Sequence, residues 1–374
     1  MYEYFNILKI YLIRKGMWLM KKFILFSIAI VTLICGCGNF NEKTVLKEFK
    51  NDVNKSISYI LKGKMQIISN EEKFDYNLEV NYLQDNYYKV KLVNQTNNHE
   101  QIILRNDEGV FVITPSLNKS FKFQSEWPDN SSQAYILNSL LKDLENDKAI
   151  KLEKTDENYI LSGKVNYPNN SDLKYQKLYF DKKINLEKVE VYNIDDNVAI
   201  SVTINEIDYK AGLEKEDFAL EDLIETDCCN KEDANCTNPC EGDNICTGDN
   251  CENKPTSSIL EDAIYPLYVP QNSSLTASEK IDTEDGNRVI LTFAGEKDFI
   301  LVEETSQVAQ EFEIIPVYGD PHILASSVVA LGANSIYWTD NNIDYYLASN
   351  DLSAEEMLTI ASSMSNSIIV SGSK

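Results

Sequence analysis

Histidine is almost missing from this chain: His99 and His322 are the only two in 374 residues. An enzyme built on a serine or cysteine nucleophile, or on bound metal, needs a base or several ligands held close together. His99 stands in the polar run Asn97-Asn98-His99 and His322 in Gly319-Asp320-Pro321-His322, and both read as surface turn residues. No catalytic residue, no metal and no cofactor is therefore expected. Basic residues are also scarce, 35 Lys and Arg against 59 Asp and Glu, for a formal charge of -24. That excludes a nucleic-acid partner, which needs a basic surface, and adhesion to anionic headgroups by charge alone. Gly and Pro number only 14 and 9, which excludes collagen-like and low-complexity chains. The longest apolar run, residues 23–34, is too short to span a bilayer.

What is present begins with an export signal. Lys21 and Lys22 follow Met20 and precede the uncharged run 23–34, the basic and apolar regions of a secretory leader. Met20 opens a complete signal and is the expected start. Ile34-Cys35-Gly36-Cys37 then resembles the lipobox of bacterial lipoproteins, with Cys35 an uncommon choice at its position. The resemblance implies cleavage before Cys37 and diacylglyceryl attachment to its thiol, with a fatty acyl group such as palmitate added, giving firm two-chain anchoring. The chain is thus expected outside the cytosol, on the outer face of the cell or forespore membrane, with residues 1–36 removed and about -28 of charge on the rest.

The remainder divides by pattern into a domain at 37–220, a linker at 221–256 and a smaller domain at 257–374. Val45, Phe49, Val53, Ile57 and Leu61 recur at four-residue steps and predict one amphipathic helix ending near Gly63. Phe74, Tyr76, Leu78, Val80 and Tyr82 alternate with polar residues, as do Tyr88, Val90 and Leu92, which predicts antiparallel strands wet on one side. Further strands are predicted at 101–105, 110–114, 120–123, 159–167, 174–180, 188–193 and 198–207. Between them a helix capped by Ser131 or Ser132 buries Tyr135, Leu137, Leu140, Leu141 and Leu144. In the last domain strands are predicted at 289–293, 299–303, 335–338 and 343–348, and Ser353-Ala354-Glu355-Glu356 forms a capping box for a final helix. That domain carries 18 acidic and 4 basic residues.

The linker holds Cys228, Cys229, Cys236, Cys240, Cys246 and Cys251 among ten acids and two lysines. Outside the cytosol these are candidate disulfide formers, of open connectivity; the Cys-x2-Cys pairs favoured by zinc are missing. The stretch 243–254 places Gly248 as a calcium loop would, but ends in Lys254 where a bidentate Glu is needed. Ser-x-x-Lys at Ser116, Ser139 and Ser171 lacks its companion motifs and reads as chance.

The order of lipidated cysteine, helix, long antiparallel sheet, helix and further sheet resembles the LolA/LolB/RseB-like lipoprotein superfamily. Within it, Asn106-Asp107-Glu108-Gly109-Val110-Phe111 and Asn118-Lys119-Ser120-Phe121-Lys122-Phe123-Gln124-Ser125-Glu126-Trp127-Pro128 resemble the GerS/YdcC-like sporulation and germination lipoproteins of clostridia and bacilli, over about residues 38–220. Tyr337-Trp338-Thr339-Asp340 with Tyr345-Tyr346-Leu347 is similar to a small C-terminal domain of such proteins. The resemblance implies an α+β fold: a curved antiparallel half-barrel covered by helices, plus a smaller C-terminal α+β domain. It implies no catalysis, and support of a peptidoglycan amidase or other germination protein through direct contact. The alternative it offers is a lipid or lipoprotein carrier, or an RseB-like sensor, with acyl chains inside the half-barrel. Phe74, Tyr76, Tyr82, Phe121, Phe123 and Trp127 are the candidate partner or cavity face; whether they simply pack a core stays open. The cysteine-rich linker departs from the family pattern.

Overall fold

The computed structural model describes residues 41–69, 72–223, 260, 262–283, 286–309 and 312–364. Cys37 and the linker cysteines Cys228, Cys229, Cys236, Cys240, Cys246 and Cys251 lie outside the described residues. Helix α1 spans Glu42–Lys55 and opens with the Thr44 amide donating to Asn41 Oδ1 at 3.1 Å. It stops about eight residues before Gly63, where the four-residue spacing predicts its end. Ser56 turns the chain, its hydroxyl donating to the carbonyls of Ser58 at 2.8 Å and Tyr209 at 2.9 Å. Ser58–Ser69 then form strand β1, as the alternation of Tyr59, Leu61, Met65 and Ile67 favours. Gly63 therefore ends no helix. It sits at a bulge between β1 and its neighbour, where a Cβ would lie 2.3 Å from the Thr203 carbonyl oxygen.

The chain continues through β2 (Glu72–Leu83), β3 (Tyr87–Asn94), β4 (Glu100–Asn106), β5 (Gly109–Thr114) and β6 (Lys119–Phe123) to helix α2 (Leu137–Asn146). It returns through β7 (Lys151–Lys154), β8 (Tyr159–Lys164), β9 (Leu173–Phe180), β10 (Leu186–Asn193) and β11 (Val198–Asp208). Residues 131–136 are not helical. The Ser132 hydroxyl instead accepts the Asn166 amide at 2.7 Å, which ties the loop to the end of β8. The described C-terminal strands are β12 (Ser273–Thr283), β13 (Gly286–Gly295), β14 (Phe299–Thr305), β15 (Glu313–Val317), β16 (Gly319–Ile323), β17 (Val328–Gly332), β18 (Ser335–Asp340) and β19 (Ile343–Ala348). Helix α3 follows at Ala354–Met364, with the predicted capping box formed: Ser353 Oγ accepts the Glu356 amide at 3.2 Å, and Glu356 Oε2 accepts that of Ser353 at 2.9 Å.

The fold is α+β with two open sheets. The first runs β15-β6-β5-β4-β3-β2-β1-β11-β10-β9-β8-β7, antiparallel except where β15 lies parallel to β6. The second runs β12-β13-β14-β19-β18-β17-β16, antiparallel throughout. Because β15 is separated from β16 by one residue, the chain passes directly from an edge of the first sheet to an edge of the second. Each sheet has its helix. Leu137, Leu140, Leu141 and Leu144 of α2 are buried, and Gly163 on β8 lets the helix approach so closely that a Cβ there would meet Leu144 Cδ2 at 2.9 Å. Met357, Leu358, Ile360, Ala361 and Met364 of α3 join Leu291, Phe293, Leu301, Trp338 and Leu347 in the core of the second sheet.

Candidate functional site

Cross-strand register assembles the inner face of the first sheet. Tyr59, Tyr82, Tyr88, Arg105, Val110 and Phe123 stand opposite one another in one row, and Leu61, Val80, Val90, Ile103, Val112 and Phe121 in the next. Period-two alternation puts all of them on one side. The first row is an aromatic chain: ring centroids are 4.8 Å apart for Tyr59 and Tyr82, 5.1 Å for Tyr82 and Tyr88, and 5.9 Å for Tyr88 and Trp127, the last edge to face. Arg105 fixes the loop carrying Trp127, donating through Nη1 to the Glu126 carbonyl at 2.9 Å and to the Trp127 carbonyl. Burial pushes the Tyr59, Tyr82 and Tyr88 hydroxyls above the ordinary phenol range, so all three are neutral.

The other rows are closed by the chain's own C-terminal part. Gln101, buried on β4, accepts the Val328 amide at 2.6 Å and donates to the Val328 carbonyl at 3.3 Å, engaging one residue's backbone as a neighbouring strand would. Tyr76 donates to the Ala325 carbonyl at 2.7 Å, Phe121 and Tyr337 lie 4.7 Å apart, and Lys119 pairs with Asp344 at 2.9 Å. Thus Tyr76, Tyr82, Phe121, Phe123 and Trp127 are all buried, between 1 and 8 % exposed, while Phe74, opposite Ile67, is half-buried. The structure brings five of the six candidate aromatics together as packed interior. Tyr88, expected on this face by its alternation with Val90 and Leu92, completes that surface with Tyr59, and so do Gln101 and Arg105, which were not expected. Their one sequence signal was a polar residue pointing inward on an otherwise apolar strand.

On this inner face a cleft of about 160 Å³ lies beside Met65, Ile67, Ala134, Tyr135, Tyr167, Ile200, His322 and Leu324. Its lining contains no acidic or basic side chain apart from His322. Burial lowers the pKa of that imidazole, against an opposing pull from Asp320, and raises those of the Tyr135 and Tyr167 hydroxyls. The cleft is therefore neutral at physiological pH. His322 lies in β16 rather than in a turn, since an edge strand accommodates Pro321. His99 is likewise half-buried, with Nε2 lacking a hydrogen-bond partner, and burial lowers its pKa. Among the described residues no cluster of His, Cys, Asp and Glu is arranged to hold a metal ion, and no helix is long and apolar enough to cross a membrane.

No protein-family model matches the chain. Among solved structures, likenesses are to MucB (TM-score 0.30, 12% identity, 85% of this chain and 96% of that one) and to the CwlD amidase from Clostridioides difficile in complex with the GerS lipoprotein (TM-score 0.28, 17% identity, 46% and 97%). Another is to the LolA superfamily protein NE2245 from Nitrosomonas europaea (TM-score 0.30, 11% identity, 49% and 99%). In sequence the chain is 34% identical over 347 residues to sporulation protein YdcC of Bacillus subtilis (strain 168), an alignment covering 92% of this chain and 97% of that protein. The chain accordingly belongs to the YdcC-like sporulation proteins.

Proposed function

We propose that this protein is a membrane-anchored sporulation lipoprotein that acts by binding and supporting a protein partner that modifies the cell wall, a cortex amidase or another germination protein, without catalysis of its own. The observation that carries this is the near-full-length likeness to a sporulation protein. Three features support it: the leader ending in Cys37, the scarcity of histidine, and a neutral cleft lacking paired acid and base groups. The acyl-carrier reading finds less support. Pockets that enclose small ligands run to about 300–1,000 Å³, whereas the inner face here is filled by its own aromatic row and by the second sheet, leaving a cleft of about 160 Å³, and the larger hollows of about 360 and 550 Å³ are lined by charged residues such as Lys91, Glu100, Lys142 and Asp143, which suit no acyl chain.

Affinity capture of the native chain from sporulating cells, alongside a deletion strain, tests this. The expected result is co-purification of a wall-modifying enzyme and a germination defect on deletion. Recovery of no such enzyme, together with normal germination, overturns it.

A further inference from the structure

Of the four sheet edges, three are short: β7 has four residues, and β15 and β16 have five each. Proteins keep edges short or cover them, because an unpaired strand offers a row of free amides and carbonyls to any passing chain. The fourth edge, β12, has eleven residues and, among the described residues, pairs with β13 alone. It contains no Pro or Gly, and its protective devices are the charges of Glu279, Lys280 and Asp282 and a bulge between Leu275 and Ala277. Leu275 and Ile281 are 41 and 43 % exposed, and Tyr265, Leu267 and Tyr268 just before the strand are 49, 69 and 39 % exposed. Five of the twelve exposed large hydrophobics among the described residues thus fall within one short segment.

Register shows what a further strand would meet. Leu275 and Ser278 stand opposite Phe293 and Leu291, on the side of the second core, while Glu279 stands opposite Ile290 on the outer side. Residues 257–374 carry 18 acids and 4 bases. β12 itself carries Glu279 and Asp282 against Lys280, so it is the net charge of the surrounding residues that would repel a second copy and draw a basic chain to this edge.

Resting on the reading that this protein works by binding another, we infer that β12 is the docking edge for an extended basic segment of the partner, which adds to the second sheet as an eighth strand. The segment's apolar residues continue the core beyond Leu275, and its alternate basic residues face Glu279.

Hydrogen–deuterium exchange on the full chain, with a synthetic alternating Lys-Val peptide and its Glu-Val counterpart as probes, tests the edge directly. The Lys-Val peptide is expected to slow exchange of amides in 273–283 by about tenfold, the Glu-Val peptide to leave them unchanged, and Glu279→Lys to abolish the protection. Equal protection by both peptides, protection at β7, β15 or β16 instead, no protection, or protection by chain concentration alone each overturns the inference. Capture from cells separates the two levels. A wall enzyme recovered equally by the native chain and by Glu279→Lys sinks the edge but leaves the binding function standing, while recovery by neither sinks the function.

Discussion

Ile102, Leu104, Phe111 and Ile113 on the outer face of the first sheet lie under Phe218 and Leu220, supplied by the 3-10 turn Lys215–Phe218 and the residues after it. Ile300 and Tyr346 on the outer face of the second sheet stay 39 and 40 % exposed. At β3, β4 and β5 the first sheet is therefore packed on both faces, by its inner core within and by the 3-10 turn without. The second sheet packs mainly on one. Aromatic and β-branched residues stand on both sides of the strands in each case, so the difference lies in whether the chain brings something to cover them. A sheet buried on both faces is a scaffold, while one left open on a face and an edge, and strongly acidic, is a surface for meeting another molecule.

The comparison breaks most sharply at Trp127, which is 1 % exposed and closes the aromatic row of the first sheet. Trp127→Ala removes the ring against Tyr88 and leaves a void that the paired strands cannot collapse to fill. It is expected to cost about 3–5 kcal/mol, read as a lowered denaturant midpoint. Tyr346→Ala on the open face of the second sheet is the matched control. A loss at Trp127 no larger than that at Tyr346 would mean that the first sheet is not the better-packed of the two.

The contrast sharpens in the second sheet at Glu303, a fully buried carboxylate on β14. Its Oε2 accepts the Ile264 amide at 2.9 Å, Oε1 has no hydrogen-bond partner, and burial pushes its pKa from 4.5 up to about 7. Between those two values the folded chain keeps a proton that the unfolded chain has released. Stability from this group is thus highest below pH 4.5, falls as pH rises through the interval, and is flat above 7. Glu303→Gln removes the titration and should flatten that slope, raising stability above neutrality by at most on the order of 3 kcal/mol. Melting temperatures of both proteins across pH 4–8, referenced to each other, measure it. An unchanged slope would mean that the carboxylate is not desolvated.

Much of this architecture is legible in the sequence wherever one period dominates. Strict alternation located β2 and β3, and β4 to β6 lie where strands were predicted at 101–105, 110–114 and 120–123. Other strands went unread for separate physical reasons. β12 scatters Leu275, Ala277 and Ile281 among polar residues without a sustained alternation, because it is a largely exposed edge. β16 opens with Gly319-Asp320-Pro321, residues that signal a turn unless the strand is known to lack a partner on one side. The candidate face was half visible: its aromatics stand out by type, but Gln101 acquires meaning only from the backbone of Val328, 227 residues away. Sequence could say that Trp127 and Phe121 belong to one face, yet not that the chain's own second sheet would cover it.

The smallest expected effect tests the point where the two periods conflict. A four-residue step satisfies both the helical repeat and the strand's period of two, so the series Val45, Phe49, Val53, Ile57, Leu61 does not itself say where helix gives way to strand. The structure divides it after Val53. Phe49 packs edge-on against Phe180 at 5.4 Å and Leu61 is fully buried on β1, but Ile57 falls at the junction and is 66 % exposed. Were the helix to continue to Gly63, Ile57→Ser would strip a buried residue and cost 2 kcal/mol or more by the usual scale of such losses. With the junction at Ser56, it should change stability by no more than about 0.5 kcal/mol, while Phe49→Ala costs about 3 kcal/mol or more. Chemical denaturation of the two single variants decides between them, because the helical extension requires comparable losses at both sites and the junction requires a loss at Phe49 alone.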